Sequence, residues 1–335
     1  MRIGVIGTGA IGGTIAALLD RVGHLVEVTA RGEQLAAIRE SGIRLDGGWG
    51  VHTARVAAAE TLQTRPELAF VCTKAQDAEV AIRANAALLD GIPVVIVQNG
   101  LAGLREAQAL LPGSDCVGAL ALYAASFLSP GQVSVTTTAN TYLGAGDGAP
   151  PPAAVDAARI LDAAMPAHAI DNFTGAQWTK LIVNQINALP AITGLSAQEV
   201  IGDRRLRSIL TASLQEATRV GSARGVRFGS LQGLDDRILR VVARAPRWAA
   251  QAVPLLMKRR MGATPNPGST LQSIRRGQLT EIDYLNGAVV DEARAAGIDA
   301  PVNAAITALV HEVERTGAFL APAEVAERMR PLLAG

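Results

Sequence analysis

The sequence has few aromatic residues and almost no net charge. Phe, Trp and Tyr make up 3% of its 335 residues, and 31 Lys and Arg residues are balanced by 30 Asp and Glu residues. Proteins that bind nucleic acids need cationic side chains against the phosphates and aromatic rings against unpaired bases. Both shortages argue against nucleic acid as a partner.

Long apolar runs and cysteine clusters are also missing. The longest apolar run, residues 116–128, is shorter than the roughly 20 residues that a membrane-spanning helix needs. The two cysteines, Cys72 and Cys116, lie in apolar stretches without CxxC spacing or neighbouring histidines, so neither a zinc site nor a disulfide is expected. We therefore expect a cytoplasmic protein with no membrane partner and no bound metal.

The residues that are present indicate two domains. Up to about residue 170, short β-branched runs at 3–6, 25–29, 68–72 and 92–97 alternate with helical patterns such as 14–21 and 33–40. This alternation predicts a parallel sheet with helices on both faces, to which residues 117–143 add antiparallel strands. Beyond Asp171 only helical patterns remain. We predict an α/β domain at 1–170 and an all-helical domain at 171–335.

A glycine motif follows the first predicted strand and opens a helix, which is the context that dinucleotide binding requires. It reads Gly7-Thr8-Gly9-Ala10-Ile11-Gly12. Gly7 permits the tight turn, Gly9 lets the backbone approach a pyrophosphate, and Gly12 allows close packing of helix and sheet. The alternative, a glycine-rich turn that binds nothing, is disfavoured by the strand that follows at 25–29. The first domain is therefore predicted to be of the Rossmann type.

The end of the second strand favours NADPH over NADH. An acidic residue there would bind the ribose hydroxyl of NAD, but the chain has Arg31, which suits a 2′-phosphate. Lys74 and Asn99 also follow strands, at the edge where ligands bind in such sheets. Alternatively, Arg31 is only solvated, Lys74 is an ordinary surface lysine, and residues 98–100 serve only to form a turn.

Polar residues in the helical part form a second candidate site. Lys180, Asn184 and Asn187 are spaced to share one helix face, opposite Trp178, Ile182, Ile186 and Leu189. The alternative is an ordinary solvated face, although asparagine is rare on such faces. Further along, Thr280 and Asp283 predict a capped helix start with Glu281 in its first turn, where Glu281 could serve only the helix dipole.

Together these motifs resemble the ketopantoate reductase family over essentially the whole chain. The resemblance is carried by GTGAIG at 7–12, Arg31, Lys74, QNG at 98–100, WTKLIVN at 178–184 and STLQSIRRGQLTEIDYLNG at 269–287. The last two segments, in this order behind the glycine motif, are specific to that family. The resemblance implies NADPH-dependent reduction of a 2-oxo acid, most often 2-dehydropantoate to (R)-pantoate in the pathway to pantothenate and coenzyme A.

The resemblance also implies roles for single residues. Lys180 would be the general acid, with Glu281 beside it at the junction of cofactor and substrate. The predicted substrate-binding residues are Asn99, Lys180, Asn184, Asn187 and Ser269. The predicted cofactor-binding residues are Gly7, Thr8, Gly9, Ala10, Ile11, Gly12, Arg31, Lys74, Asn99, Ala124 and Glu281.

Two departures from the family pattern bear on the substrate. Ala188 stands where family members commonly have a second Asn, with Asn187 one place earlier, and Ser273 replaces an acid. The alternatives are therefore a related reductase of another short 2-oxo or β-hydroxy acid, or a non-catalytic NADPH-binding regulator. The predicted assembly is a homodimer.

Overall fold

The computed structural model describes residues 1–262 and 265–333. The chain divides into two compact units, Met1–Phe173 and Thr174–Gly335. In the described residues, no helix combines the length and the apolar character that crossing a membrane would take.

The first unit contains two sheets. In chain order its strands are β1 (Arg2–Ile6), β2 (Leu25–Thr29), β3 (Ile43–Gly47), β4 (His52–Ala54), β5 (Ala57–Ala59), β6 (Leu68–Val71), β7 (Val94–Val97), β8 (Cys116–Ala121), β9 (Ala124–Ser129), β10 (Gln132–Thr137), β11 (Thr141–Gly144) and β12 (Ala167–Ala169). The main sheet has eight strands in the order β12-β11-β8-β7-β6-β1-β2-β5, and the second has four in the order β4-β3-β10-β9. Strands β2, β1, β6, β7 and β8 run parallel, so their carboxyl ends meet at one edge.

The helices of the first unit are α1 (Ala10–Arg21), α2 (Gly32–Ser41), α3 (Ala75–Leu89), α4 (Gly103–Leu110) and α5 (Pro152–Asp162). Helix α1 begins earlier than the predicted 14–21, directly after Gly9. Every residue of β6 and β7 is buried, as continuous apolar runs in a covered parallel sheet predict. Strand β7 starts at Val94, later than the predicted residue 92, because Pro93 has no N–H to donate to the ladder.

One part of the predicted sheet is wrong. Strand β11 does add antiparallel to β8 in the main sheet. The alternating strand β10, however, pairs with β9 and β3 in the separate four-stranded sheet. Val133, a buried residue of β10, packs against Gly13 of α1. The contact is so close that a Cβ atom at Gly13 would lie 2.9 Å from Val133 Cγ1. The alternation predicted a strand with one buried face, but it did not specify which strands would pair with it.

The second unit is helical, as predicted. Its helices are α6 (Phe173–Asn184), α7 (Ala188–Thr193), α8 (Ala197–Gly202), α9 (Arg204–Ala223), α10 (Asp236–Arg244), α11 (Arg247–Ala250), α12 (Ala252–Arg260), α13 (Gly268–Arg275), α14 (Asn286–Ala295), α15 (Pro301–Thr316) and α16 (Pro322–Leu333). Short 3₁₀ turns occur at Gln185–Asn187 and Ile282–Tyr284. Helix α9 lies at the centre, with residues 209–218 all buried and α10, α14, α15 and α16 packed around it. The α/β class with a helical second part is confirmed.

Candidate active site

The glycine motif forms the turn between β1 and α1. Gly7 has φ +90°, and a Cβ atom there would lie 2.7 Å from Thr73 Cγ2. A Cβ atom at Gly12 would lie 1.9 Å from the Gly7 carbonyl oxygen. Both positions therefore accept only glycine, for the steric reasons that the motif predicted.

Gly9 differs from the other two glycines of the motif. A Cβ atom at Gly9 would meet nothing within 4 Å, so this backbone borders open space. Gly9 is also the N-cap residue of α1; it has no side chain to cap the helix, and the first turn carries no acid. An uncapped helix start bordered by free space accommodates a phosphate group. The loop thus fits the pyrophosphate of a dinucleotide.

Two residues that the sequence analysis missed hold this loop. Thr29 Oγ1, at the end of β2, accepts a hydrogen bond from Gly7 N at 3.0 Å, and Thr8 Oγ1 donates to the Thr29 carbonyl oxygen at 3.2 Å. Gln34 Nε2 donates to the Thr8 carbonyl oxygen at 2.8 Å, while its Oε1 accepts from Gly131 N at 2.7 Å. Local sequence carries no signal for these contacts, because each joins elements that are distant along the chain.

The other predicted cofactor residues of the first unit lie at the same edge of the sheet. Arg31 follows β2 and is exposed, and its guanidinium group has no hydrogen bond or ion pair within 1–262 and 265–333. Lys74 is the half-buried N-cap residue of α3, three positions after the end of β6. Asn99 follows β7, and Ala124 begins β9 just beyond the end of β8. The parallel order of β2, β1, β6, β7 and β8 brings these residues to the edge that also carries the glycine loop.

Gln98 is a further polar residue at this edge. Its Nε2 donates to the Thr73 carbonyl oxygen at 3.1 Å, which ties the ends of β7 and β6 together. Gln98 Oε1 and Thr73 Oγ1 are buried and have no hydrogen-bond partner in the described part of the chain. Gln98 Oε1 packs against Gly103, where a Cβ atom would lie 2.2 Å from it, so these two atoms are enclosed by the protein and do not line a ligand site.

In the second unit, α6 carries Lys180. Trp178, Ile182 and Leu189 are buried, as the helical pattern predicts, and the polar residues on the other face are half-buried. The predicted continuous face is wrong in one respect. The α-helix ends at Asn184, and Asn187 belongs to a tighter 3₁₀ turn before α7 begins. The 3.6-residue spacing therefore does not apply as far as Asn187.

Lys180 lies in the field of Glu281, a residue far from it in sequence. Burial lowers the pKa of Lys180 from 10.5 to about 8, and the negative charge of Glu281 opposes this shift. A lysine with a pKa close to neutral both holds a proton at physiological pH and gives it up readily. The face that carries Lys180 is therefore not a solvated helix face.

The segment around Glu281 also differs from its prediction. Residues Ile282–Tyr284 form a 3₁₀ turn, and the α-helix starts only at Asn286. Thr280 Oγ1 accepts from Ile282 N at 3.2 Å, while Asp283 Oδ1 lies 2.9 Å from His311 Nε2 instead of capping a helix. Glu281 is thus outside the first helical turn, and the helix-dipole explanation fails. Contacts with a distant helix have overridden the local capping pattern.

The predicted substrate residues Asn187 and Ser269 are neighbours. Gly268 has φ +72°, and a Cβ atom there would lie 2.5 Å from Asn187 Oδ1. Ser269 follows Gly268 in the first turn of α13 and is exposed. Asn184 shares α6 with Lys180 and is half-buried. The helical unit therefore brings Asn187 to the start of α13, while Asn184 and Lys180 share α6.

Comparison with known proteins identifies the family. The family described as "Ketopantoate reductase PanE/ApbA" matches residues 3–148, and "Ketopantoate reductase PanE/ApbA C terminal" matches residues 172–314. The chain belongs to the ketopantoate reductase family. The resemblance drawn from the motifs is confirmed.

Individual members of the ketopantoate reductase family match over nearly the whole chain. The 2-dehydropantoate 2-reductase of Archaeoglobus fulgidus is 30% identical over 93% of this chain and 98% of its own length. The crystal structure of a PanE/ApbA family ketopantoate reductase from Ralstonia eutropha JMP134 has a TM-score of 0.81 at 28% identity, covering 94% of this chain and 99% of that one. A D-mandelate dehydrogenase, solved with NADH and anilino(oxo)acetate, also has a TM-score of 0.81, and at 22% identity it shows the shared fold alone.

Proposed function

We propose that this protein catalyses the NADPH-dependent reduction of 2-dehydropantoate to (R)-pantoate. The observation that carries the proposal is the Lys180 ammonium group, held with a lowered pKa in the field of Glu281 within the helical unit of a ketopantoate reductase. Curated relatives named 2-dehydropantoate 2-reductase, which the chain matches over nearly its whole length, support this substrate.

Lys180 acts on the carbonyl oxygen of the substrate. NADPH, when bound, supplies the hydride that reduces the C2 carbonyl. Negative charge then grows on the carbonyl oxygen, and the Lys180 ammonium group stabilises it before Nζ transfers its proton to that oxygen. Glu281 favours the charged form of Lys180, so the proton is in place before the reaction begins.

The cofactor role falls to the carboxyl edge of the main sheet. The backbone around Gly9 would bind the pyrophosphate. Arg31 would bind the 2′-phosphate through a bidentate pair of charge-assisted hydrogen bonds. Lys74, Asn99 and Ala124, which lie at the same edge, would contact the cofactor as well. Thr29 and Gln34 hold the loop in its binding shape.

The substrate role falls to neutral side chains of the helical unit. Asn184, Asn187 and Ser269 would donate hydrogen bonds to the carboxylate and hydroxyl oxygens of a short 2-oxo acid, and Asn99 keeps its predicted substrate contact. A second candidate is the reduction of a different short 2-oxo acid. It is favoured by Ala188, which is buried and offers a methyl group where family members commonly have an amide.

The decisive experiment is NADPH oxidation, followed at 340 nm, with 2-dehydropantoate and a panel of other 2-oxo acids. The proposal expects the highest kcat/KM with 2-dehydropantoate. A higher value with another 2-oxo acid would favour the second candidate. NADPH binding without turnover on any member of the panel would indicate a regulator. Homodimerisation and a cytoplasmic location stay predictions of the sequence.

A further inference from the structure

A group of polar side chains, none of them assigned to substrate or cofactor, lies in the core of the helical unit. Its members are Gln185, Ser213, Glu216, Asn286 and Asn303, and each is at most 3% exposed. We call this group the buried polar network. Polar groups at this depth lower stability unless they are hydrogen-bonded, so their arrangement needs an explanation.

Ser213 is the centre of the buried polar network. Its Oγ lies 3.2 Å from Gln185 Oε1 and 2.8 Å from Asn303 Oδ1. Asn286 Nδ2 donates to the same Asn303 Oδ1 at 2.9 Å. The single hydroxyl proton of Ser213 is shared between these two acceptor oxygens, and the shorter distance favours Asn303. A chain of polar contacts therefore runs from Gln185 through Ser213 and Asn303 to Asn286.

Glu216 fixes Asn303 within this chain. Its carboxylate accepts hydrogen bonds from Val302 N at 2.9 Å, Asn303 N at 2.9 Å and Asn303 Nδ2 at 2.8 Å. It thereby caps the start of α15, whose own N-cap residue Ala300 makes no side-chain cap. Helices α9 and α15 are locked together at the point where the network passes between them.

The two ends of the chain meet the two catalytic segments. Gln185 directly follows the last residue of α6, the helix that carries Lys180. Asn286 begins α14, one residue beyond the 3₁₀ turn that Glu281 precedes. The buried polar network is therefore a physical connection between the segment of the lysine and the segment of the carboxylate.

Helix α15 also holds the other side of the Glu281 segment. Glu314 Oε1 accepts from Thr280 N at 2.7 Å, and His311 Nε2 lies 2.9 Å from Asp283 Oδ1. Together with Asn303, these residues of α15 bind the segment both before and after Glu281. The position of Glu281 follows that of α15.

The buried polar network is not optimised for stability. Asn286 Oδ1 is buried and has no hydrogen-bond partner within the described residues. An incompletely satisfied polar network is less stable than an apolar core of the same shape. Its presence here favours a role in placing the attached segments.

We infer that the buried polar network positions the Glu281 carboxylate relative to the Lys180 ammonium group, with Ser213 as the residue that joins their two segments. Ser213 is thus a positioning residue, acting through Glu281 and not on the substrate. The catalytic meaning of the inference rests on the proposed function. The placement itself is measurable without any substrate.

The test measures the pKa of Lys180 directly. The chain contains only three lysines, Lys74, Lys180 and Lys258, so selective ¹³C labelling of lysine gives three signals that Lys→Arg variants assign. We expect Ser213→Ala to lower the pKa of Lys180 by about 0.5 pH unit or more, because a less firmly held carboxylate supports the ammonium group less. Glu281→Gln should lower it further. In the Glu281→Gln background, Ser213→Ala should add no shift, since its effect passes through that charge.

Thr218→Val is the matched control. Thr218 is as deeply buried in the same helix, but its hydroxyl donates only within that helix, to the Leu214 carbonyl oxygen at 2.8 Å. Its removal should leave the pKa of Lys180 at the wild-type value. If Ser213→Ala does not fold, Gln185→Met removes the acceptor at one end of the chain and should lower the same pKa.

The inference is overturned if the variant leaves the pKa of Lys180 unchanged, or shifts it equally with and without the Glu281 charge. These outcomes are separable from failure of the proposed function. That failure would appear as absent turnover of every 2-oxo acid by the wild-type protein, whatever the NMR titration shows.

Discussion

The lowered pKa of Lys180 predicts how the reduction rate depends on pH. The proposed general acid works only when protonated, so activity must be lost as the pH rises through its pKa. With a pKa of about 8, roughly nine-tenths of the lysine is protonated at pH 7 and roughly one-tenth at pH 9. We therefore expect kcat/KM to fall about tenfold per pH unit above pH 8. A solvent-exposed lysine with a pKa of 10.5 would give a flat profile over this range.

The assay follows NADPH oxidation from pH 6.5 to 10 at low substrate concentration, so that kcat/KM reports groups of the free enzyme. Circular dichroism at each pH checks that the protein stays folded. Lys180→Arg is the matched variant, because a guanidinium group stays protonated over the whole range. It should be slow, since its planar group does not replace a compact ammonium group, and its residual rate should show no break near pH 8.

Lys180→Ala completes this test. Removing both the stabilising cation and the proton donor should lower kcat by about 10²–10⁴-fold, with the fold retained because Lys180 is outside the apolar face of α6. A wild-type profile that stays flat to pH 10 would refute the assigned pKa. A chemical step in Lys180→Ala within about threefold of wild type, less than ~1 kcal/mol, would refute the catalytic role itself.

Three further predictions concern binding. Arg31→Ala should weaken NADPH binding by about 1.5–3 kcal/mol and leave NADH binding nearly unchanged in fluorescence titrations, whereas equal losses would mean that Arg31 does not contact the 2′-phosphate. Gly9→Ala should weaken NADPH binding and leave the melting temperature near that of the wild type, because its Cβ atom would meet no protein atom. Gly12→Ala should destabilise the fold, because its Cβ atom would lie 1.9 Å from a backbone oxygen. The reverse pattern would contradict the assigned loop geometry. Gly268→Ala would displace the side-chain amide of Asn187, so it should raise the KM for the 2-oxo acid and leave the Kd for NADPH as in the wild type. If the KM does not change, Asn187 is not part of the substrate site.

The features that could be predicted from the sequence are those with local physical causes. A continuous apolar run such as Leu68–Val71 predicts a buried parallel strand wherever the strand lies in the sheet. The glycine loop is equally local, because the constraints on Gly7 and Gly12 arise within one turn and the strand beside it. The cofactor edge then follows from strand order, since parallel strands end together.

Features that depend on distant partners could not be predicted. The alternation in β10 fixed its buried face but not its place in a second sheet with β3 and β9. Thr29 and Gln34 carry no motif, yet both hold the glycine loop. The pattern at Thr280 indicated a helix cap, but Glu314 binds the Thr280 backbone N–H from another helix. In each case a tertiary contact decided among structures that the local sequence allowed.

The chemistry of the lysine depends on the same kind of distant contact. By itself, the spacing of Lys180 and Asn184 is equally typical of a solvated helix face and of a binding face. What distinguishes them is burial, which lowers the pKa of the lysine, and the charge of Glu281, which partly restores it. The segments that carry the two residues contact helices α9 and α15, through Gln185 on one side and through Thr280 and Asp283 on the other. The chemistry proposed for Lys180 therefore depends on tertiary packing and not only on the motif that contains it.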